Sequence, residues 1–263
     1  MKYILTLLLF VSCSVFAKPA PTPSVWLYNI TDERVIVKDD AEVQRPLASI
    51  TKLMTAIVAL DQTQNLDEKI TKKLIGPLPV GTYTRRELLT AMLVKSDNSA
   101  AETIADSFPG GRKAFIASMN NRAESLGMTQ TSFEDASGLS KNNISSARDI
   151  HKMLIASLNY QFIKDTSIKK QALFETHYKK KIRTVKLDHT SRAFLFEFDN
   201  IVITKTGYTR PAGFCLALVV EQQHKMYTAV VLGTPNPGFR FQLIKRLLNK
   251  EIPYNDLLDS DLR

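Results

Sequence analysis

Three short motifs supply groups that could act together on a carbonyl carbon. Ser49 and Lys52 stand three residues apart in "RPLASITKLMTAIVALDQ", where an apolar run with Leu53, Ile57 and Leu60 at helical spacing begins. A helix advances about 300° over three residues, so the two side chains share a face. A serine hydroxyl is a poor nucleophile until a base takes its proton. A lysine drawn into an apolar interior loses its preference for the charged form, and a second cation nearby adds to that loss. Neutral Lys52 then suits the base, with Lys205 as the candidate second cation. Ser96 and Asn98, in "KSDNSAAE", sit on a loop tip between helices. Ser96 is placed to pass the proton to a leaving amine, and Asn98 to hold a substrate amide. Lys205, Thr206 and Gly207 end the apolar run "IVITKTGYT". Lys205 and Thr206 suit a substrate carboxylate, while Gly207 permits close approach of another backbone. The developing oxyanion belongs between the backbone N–H groups of Ser49 and, by strand position, Tyr208.

No single motif is informative alone. About one Ser-x-x-Lys is expected by chance in a chain of this length, and Ser167-x-x-Lys170 is a second one. Ser-x-Asn occurs at Ser96, Ser118, Ser140 and Ser157, whereas Lys-Thr-Gly occurs once. Each also has a plain structural reading: Ser49 capping a helix, Lys52 reaching back to water, "KSDN" forming a turn. Order and setting decide between them. Only Ser49 stands at a helix start before an apolar run with both other motifs downstream.

The elements that must position these groups follow from the hydrophobic pattern. "PSVWLYNITDERVIVKDD" predicts a hairpin that turns at Thr31–Glu33. From Ser49 to about Tyr160 the pattern is helical. Thr84 starts a helix with Leu88, Leu89, Met92 and Leu93 on one side, and "SAAETIADSF" gives another. "GRKAFIASMNNRAESLGM" is a third, ending at Gly127, and Ser146 caps a fourth with Asp149 in its first turn. After Tyr160, "FLFEFDNIVITKTGYT", "AGFCLALVVEQQ" and "KMYTAVVLGT" predict three sequential antiparallel strands. "GFRFQLIKRLLNK" closes as an amphipathic helix whose Phe241, Ile244, Leu247 and Leu248 would cover the sheet, with packing on a membrane as the alternative. The expected fold is α+β: an antiparallel sheet built from both chain ends, flanked by helices, with an inserted all-helical lobe. A cleft between the lobes is the natural place for a site.

The 263 residues, 44% of them hydrophobic, suffice for a full core. Residues 1–17, "MKYILTLLLFVSCSVFA", read as a secretory signal cut after Ala17 and too short to span a membrane; lipid attachment at Cys13 is the alternative. Residues 18–24 form a Pro-rich linker, 25–250 the catalytic domain and 251–263 a tail. No later run reaches membrane-spanning length, so the expectation is an exported protein, soluble or peripheral, without a transmembrane span. Loss of the signal leaves Cys215 alone, which allows no intramolecular disulfide and reads as a small core residue. The net charge of +9 falls to +8 once Lys2 is removed. Such a charge attracts anionic lipid or an acidic wall polymer, and export argues against nucleic acid. Much of it lies in "KKQALFETHYKKKIRTVK", Lys169 to Lys186, which reads as a solvated strand pair or loop face, with a docking site as the alternative.

The three motifs together are the set shared by penicillin-binding proteins and class A β-lactamases. With "RPLASITKLMTA", "MNNRAESLGMTQTSFEDASGLS", "NNISSARD" and "TKTGYTRPAGFC", the chain resembles the low-molecular-mass penicillin-binding proteins of the D-alanyl-D-alanine carboxypeptidase family. Within that family it is most similar to the endopeptidases of penicillin-binding protein 7 type. The resemblance covers Ser24 to Lys250. It implies a β-lactamase-like fold and a periplasmic serine peptidase that cuts peptidoglycan cross-links through an acyl-enzyme on Ser49, without a metal or other cofactor. It further implies covalent inhibition by β-lactams. By motif match, Ser49, Lys52 and Ser96 are the catalytic residues, and Asn98, Lys205, Thr206, Gly207 and Tyr208 bind substrate. Arg240 lies where some relatives carry an arginine that meets a terminal carboxylate.

Two departures carry implications. The interval from Lys52 to Ser96 is shorter than the family's, which implies a trimmed cleft rim. The chain also ends just after its last predicted helix, without the further β-domain and anchoring tail of the larger carboxypeptidases, which favours the endopeptidase type. A carboxypeptidase that removes terminal D-alanine is the alternative. A class A β-lactamase would need Glu-x-x-x-Asn between the second and third motifs, and here it occurs at Glu251–Asn255, after the third. A non-catalytic wall-binding or β-lactam-sensing module has no use for intact Ser49, Lys52, Ser96 and Lys205.

Overall fold

The computed structural model describes residues 22–62, 65–178 and 181–249, so the signal segment, Cys13 and Glu251–Asn255 lie outside the described residues. Strands β1 (Ser24–Asn29) and β2 (Arg34–Asp39) form the expected hairpin, its turn held by Asn29 Nδ2 donating to Asp32 at 2.9 Å. The short strand β3 (Arg45–Pro46) leads into a 3-10 turn, Ala48–Thr51, and then α1 (Lys52–Gln62). Strands β4 (Lys69–Lys72) and β5 (Gly81–Thr84) make a small hairpin before α2 (Arg85–Val94). Thr84 closes a capping box there: its hydroxyl accepts from Glu87 N, and its own N–H donates to the Glu87 carboxylate.

Helices α3 (Asn98–Asp106) and α4 (Gly111–Ser125) follow, the latter stopping just before Gly127 in the left-handed region. Strand β6 (Ile144–Ser145) pairs with β3, and α5 (Ala147–Ser157) begins with the Ser146 hydroxyl accepting from Asp149 N at 3.1 Å. Then come α6 (Gln161–Ser167), a β7 (Gln171–Tyr178) and β8 (Lys181–Asp188) hairpin, and α7 (Arg192–Glu197). Strands β9 (Ile201–Thr209), β10 (Gly213–Gln222) and β11 (Lys225–Thr234) precede the closing helix α8 (Phe239–Asn249).

The five-stranded antiparallel sheet runs β2-β1-β11-β10-β9, so both ends of the chain build it, as expected. Strands β10 and β11 read as almost unbroken apolar runs because both faces are covered. Ala217, Val219, Val230 and Leu232 join the core of the helical lobe. Leu216, Leu218, Val220 and Val231 meet Phe194 and Leu195 of α7 and Leu243, Ile244 and Leu247 of α8. Burial of each such side chain contributes about 1.5–3 kcal/mol. The expected cover by α8 is in place, with Leu243 taking the deep position that periodicity gave to its neighbours. Cys215 is fully buried.

Two segments differ from the expectation. "FLFEFD" is not strand: α7 turns Phe194 and Leu195 inward, and Phe194 packs on Phe198 and Phe241 at 4.7 and 4.8 Å between centroids. The apolar run Phe-Leu-Phe suits a strand locally, but as a helix it brings Phe194 and Leu195 into the core beside α8. The helical lobe also carries the β4–β5 hairpin and the β3–β6 pair, which its helical periodicity did not announce. Among the described residues, no helix is long and apolar enough to cross a membrane.

Helix α1 decides the position of the chemistry. Every residue from Lys52 to Leu60 is buried, so this helix runs through the core with no water-facing side for Lys52 to reach. The lysine is committed to the interior.

Candidate active site

Ser49 lies in the 3-10 turn rather than in α1 itself. Side chains three apart on a 3-10 turn eclipse one another, which brings Lys52 Nζ to 2.8 Å from Ser49 Oγ. Lys52 also donates to Asn98 Oδ1 at 2.7 Å and to the Ser137 carbonyl at 2.5 Å. With the amine neutral, the first contact reverses and the Ser49 hydroxyl donates to Nζ. Burial brings the Lys52 pKa down to about 7, against an opposing pull from Asp135, Asp97 and Glu102.

The second motif is held by its middle residue. Asp97 caps α3, accepting from Ala100 N at 3.1 Å, while its other oxygen accepts from Leu78 N at 2.8 Å. Ser96 is thereby forced into the left-handed region at φ 62°, an unfavourable conformation for a residue with a Cβ. Its Oγ accepts from Lys205 Nζ at 3.0 Å. The rim between Lys52 and Ser96 is pinned from below: buried Lys72 donates to the carbonyls of Leu74 and Leu78. Gly76 sits so close that a Cβ there would lie 2.1 Å from Ser99 Oγ.

The third motif closes the cleft from the edge strand β9. Lys205 is fully buried, and its pKa falls well below the ordinary lysine value through burial first, then the Lys52 and Arg240 charges. The repulsion expected to act on Lys52 is thus expressed on its partner, since either amine relieves it by giving up a proton. The Thr206 hydroxyl donates to Thr190 Oγ1 at 2.8 Å, and Thr190 N–H donates to the carbonyl of Val94 at the end of α2. Gly207 faces the Ser49 turn so closely that a Cβ would stand 3.0 Å from Ser49 N. Arg240 lies behind β9, where Nη1 donates to the carbonyls of Gly207 and Cys215 at 3.1 Å each.

The segment Glu134–Asn143 wraps the Ser49 turn. Asp135 accepts from the N–H groups of Ser137 and Gly138 and from Asn143 Nδ2. Asn143 also donates to Thr51 Oγ1 at 3.1 Å, and its carbonyl accepts from Leu47 N at 2.9 Å. That knot presents the Ser137 carbonyl to Lys52. Asp97, Asp135, Asn143 and Thr190 were not singled out by the sequence reasoning. "KSDN" and "FEDASGLSKNN" carried the only available signal, carboxylates within turn-forming residues.

Ser49, Lys52, Asn98, Ser96, Lys205 and Gly207 come together here, Thr206 is tied to Thr190, and the Tyr208 side chain turns to Phe214, while the second Ser-x-x-Lys does not assemble. Ser167 is buried, and the Lys170 ammonium lies over the Phe196 ring, 4.1 Å from its centroid. Burial keeps His189 and His151 neutral, lowering them to about 3 and about 4. Among the described residues, no group of three His, Cys, Asp or Glu side chains could hold a metal ion.

The D-alanyl-D-alanine carboxypeptidase family profile matches residues 22–236. The chain belongs to this family. A D-alanyl-D-alanine endopeptidase of Escherichia coli is 37% identical over 220 residues, 80% of this chain and 70% of that protein. Family members named D-alanyl-D-alanine carboxypeptidase also match, one from Bacillus subtilis at 27% identity over 82% of this chain and 58% of its own length. The crystal structure of a Streptomyces DD-transpeptidase superposes with a TM-score of 0.80 at 26% identity, covering 86% of this chain and 95% of that one. A penicillin-binding protein of Listeria monocytogenes in its cefotaxime-bound form gives 0.72 at 28% identity, with the same coverage. As a member of the family, the protein is a serine-type D-alanyl-D-alanine peptidase.

Proposed function

We propose that the protein hydrolyses D-alanyl peptide bonds of peptidoglycan through an acyl-enzyme on Ser49, acting chiefly as an endopeptidase on cross-links. The contact of 2.8 Å between Ser49 Oγ and a lysine whose pKa burial lowers to about 7 carries this reading. A base with a pKa near the working pH is both available unprotonated and strong enough to accept the proton. Ser49 Oγ attacks the D-alanyl carbonyl carbon as its proton passes to Lys52 Nζ. The carbonyl oxygen becomes an oxyanion held by the N–H groups of Ser49 and Tyr208. Collapse breaks the C–N bond as the Ser96 hydroxyl gives its proton to the leaving amine; Ser96 is reprotonated at the expense of Lys52, which is then neutral again for deacylation. Water then hydrolyses the ester and returns Ser49 and Lys52 to their starting states. Asn98 has a double part: Oδ1 holds Lys52, which leaves Nδ2 to hold the substrate amide. Lys205 and Thr206 take the carboxylate beyond the cleaved bond; for this the Thr206–Thr190 contact reverses, Thr190 donating to Thr206 Oγ1 so that the Thr206 hydroxyl donates to the carboxylate.

The endopeptidase reading draws on the name of the Escherichia coli relative, and the cefotaxime complex of the Listeria protein supports covalent inhibition by β-lactams. We place the activity outside the cytoplasm, in the periplasm, where the substrate lies. Digestion of purified muropeptides tests the assignment. Loss of cross-linked dimers with a matching gain of monomers is expected. Loss of terminal D-alanine from monomers alone would make the protein a carboxypeptidase, the reading that relatives of that name support.

A further inference from the structure

The proposed acyl complex has a direction along β9. With the leaving-side carboxylate at Lys205 and Thr206 and the carbonyl oxygen at the Tyr208 N–H, the acyl-donor peptide continues past Tyr208 toward Arg210. At that end the surface opens into a cavity of about 300 Å³ whose lining includes Arg45, Tyr208, Arg210, Phe214 and Gly233, and no Asp or Glu. Arg45 stands four residues before the nucleophile. Its Nε donates to Ser24 Oγ at 2.6 Å and Nη2 to the Thr22 carbonyl at 2.5 Å, and Asp40 pairs with it at 3.6 Å. These contacts anchor the guanidinium, and its Nη1 lies 3.1 Å from where a Cβ on Gly233 would stand. Gly233 is in the left-handed region at φ 84°, so backbone conformation and contact both favour glycine beside this arginine. Arg210, on the β9–β10 turn, is exposed and has no ion-pair partner among the described residues. Tyr208 and Phe214 stack across the strand pair, their centroids 4.2 Å apart, and give the cavity an apolar side.

We propose that this cavity is a subsite for a carboxylate on the acyl-donor stem of the peptide, held by Arg210 with Arg45 behind it and the stem's aliphatic portion against Tyr208 and Phe214. The proposal rests on the peptidase reading above, because that reading supplies the direction of the bound peptide. Arg210 presents a guanidinium without an ion-pair partner among the described residues, Arg45, paired with Asp40, lies beside it, and the lining itself holds no acidic side chain, which favours an anion. The planar fork of arginine matches a carboxylate in two parallel hydrogen bonds. Because Arg210 is exposed, solvent screening keeps the expected preference to about fivefold.

The test uses synthetic donor peptides, monomeric and cross-linked, carrying either a free carboxylate or the carboxamide on the donor stem. The wild type is expected to favour the carboxylate form about fivefold in kcat/KM, through KM. Arg210→Ala should erase that preference, Arg210→Lys should keep part of it, and acylation by benzylpenicillin should proceed at the wild-type rate in both. Absence of a preference in the wild type, its survival in Arg210→Ala, or loss of penicillin acylation in that variant would each overturn the subsite. If the wild type cleaves neither peptide while penicillin still acylates it, the peptidase reading fails, and the subsite is judged on its own by binding to the Ser49→Ala protein. A fivefold tighter hold on the carboxylate form sustains it; equal affinity overturns it.

Discussion

Replacement of Lys52 by arginine is expected to reduce acylation of Ser49 by roughly 10²- to 10⁴-fold, the range contributed by a positioned general base. Arginine keeps the charge and can still donate hydrogen bonds, but it does not give up a proton in this pH range. A variant that retains charge and loses activity therefore separates base catalysis from simple electrostatic support. The wild-type pH profile supplies the companion result. Only the neutral amine accepts the serine proton, and its pKa lies at about 7. Acylation should rise about tenfold per unit at low pH and level off above about 7. Stopped-flow measurement with a chromogenic β-lactam reads both. A rate that stays flat across that interval would remove Lys52 from the role of base.

Gly138→Ala is expected to cost the largest stability of any single methyl addition in the site. A Cβ there would fall 1.9 Å from the Ala48 carbonyl oxygen and 2.4 Å from its carbon, both backbone atoms just before the nucleophile. The residue also sits at φ 83°, where a side chain is strained whatever the space. The neighbours cannot yield easily, because Asp135 grips the Gly138 N–H and Asn143 ties the same loop to Thr51. A loss of about 3 kcal/mol or more follows from overpacking and the left-handed backbone together. Gly111→Ala is the matched control: its φ is 74°, but nothing stands within 4 Å of the added atom, so only the backbone cost of about 1–2 kcal/mol remains. Urea unfolding of the two variants measures the difference. Equal losses would show that the Glu134–Asn143 loop does not brace the nucleophile turn.

The sequence made the groups of the proposed site legible because they are side chains of distinctive type in a fixed order. Ser49, Lys52, Ser96, Asn98, Lys205, Thr206 and Gly207 were all readable, and so was the sheet assembled from both chain ends. The supports were harder to read because several act through backbone atoms or loop closure. The Ser137 carbonyl that holds Lys52 has no side-chain signature, and Asp135 and Asn143 gain their meaning only when their loop crosses the nucleophile turn. Thr190 reaches Thr206 from sixteen residues upstream, on a segment without periodicity. The sequence placed Lys52 at the start of an apolar helix, but only the packing showed that α1 is buried on every side. Its awkward burial then has a consequence: a lysine that cannot reach water is a lysine that can be neutral. Arg240 is a further support that acts through backbone atoms, its Nη1 holding the Gly207 and Cys215 carbonyls.

The central claim is that Ser49 receives the acyl group. Intact-mass spectrometry after incubation with benzylpenicillin, followed by peptide mapping, tests it directly. One adduct per chain, mapped to Ser49 and absent from Ser49→Ala, is the predicted result. An adduct that persists in Ser49→Ala, or maps to Ser96 or Ser167, would contradict it.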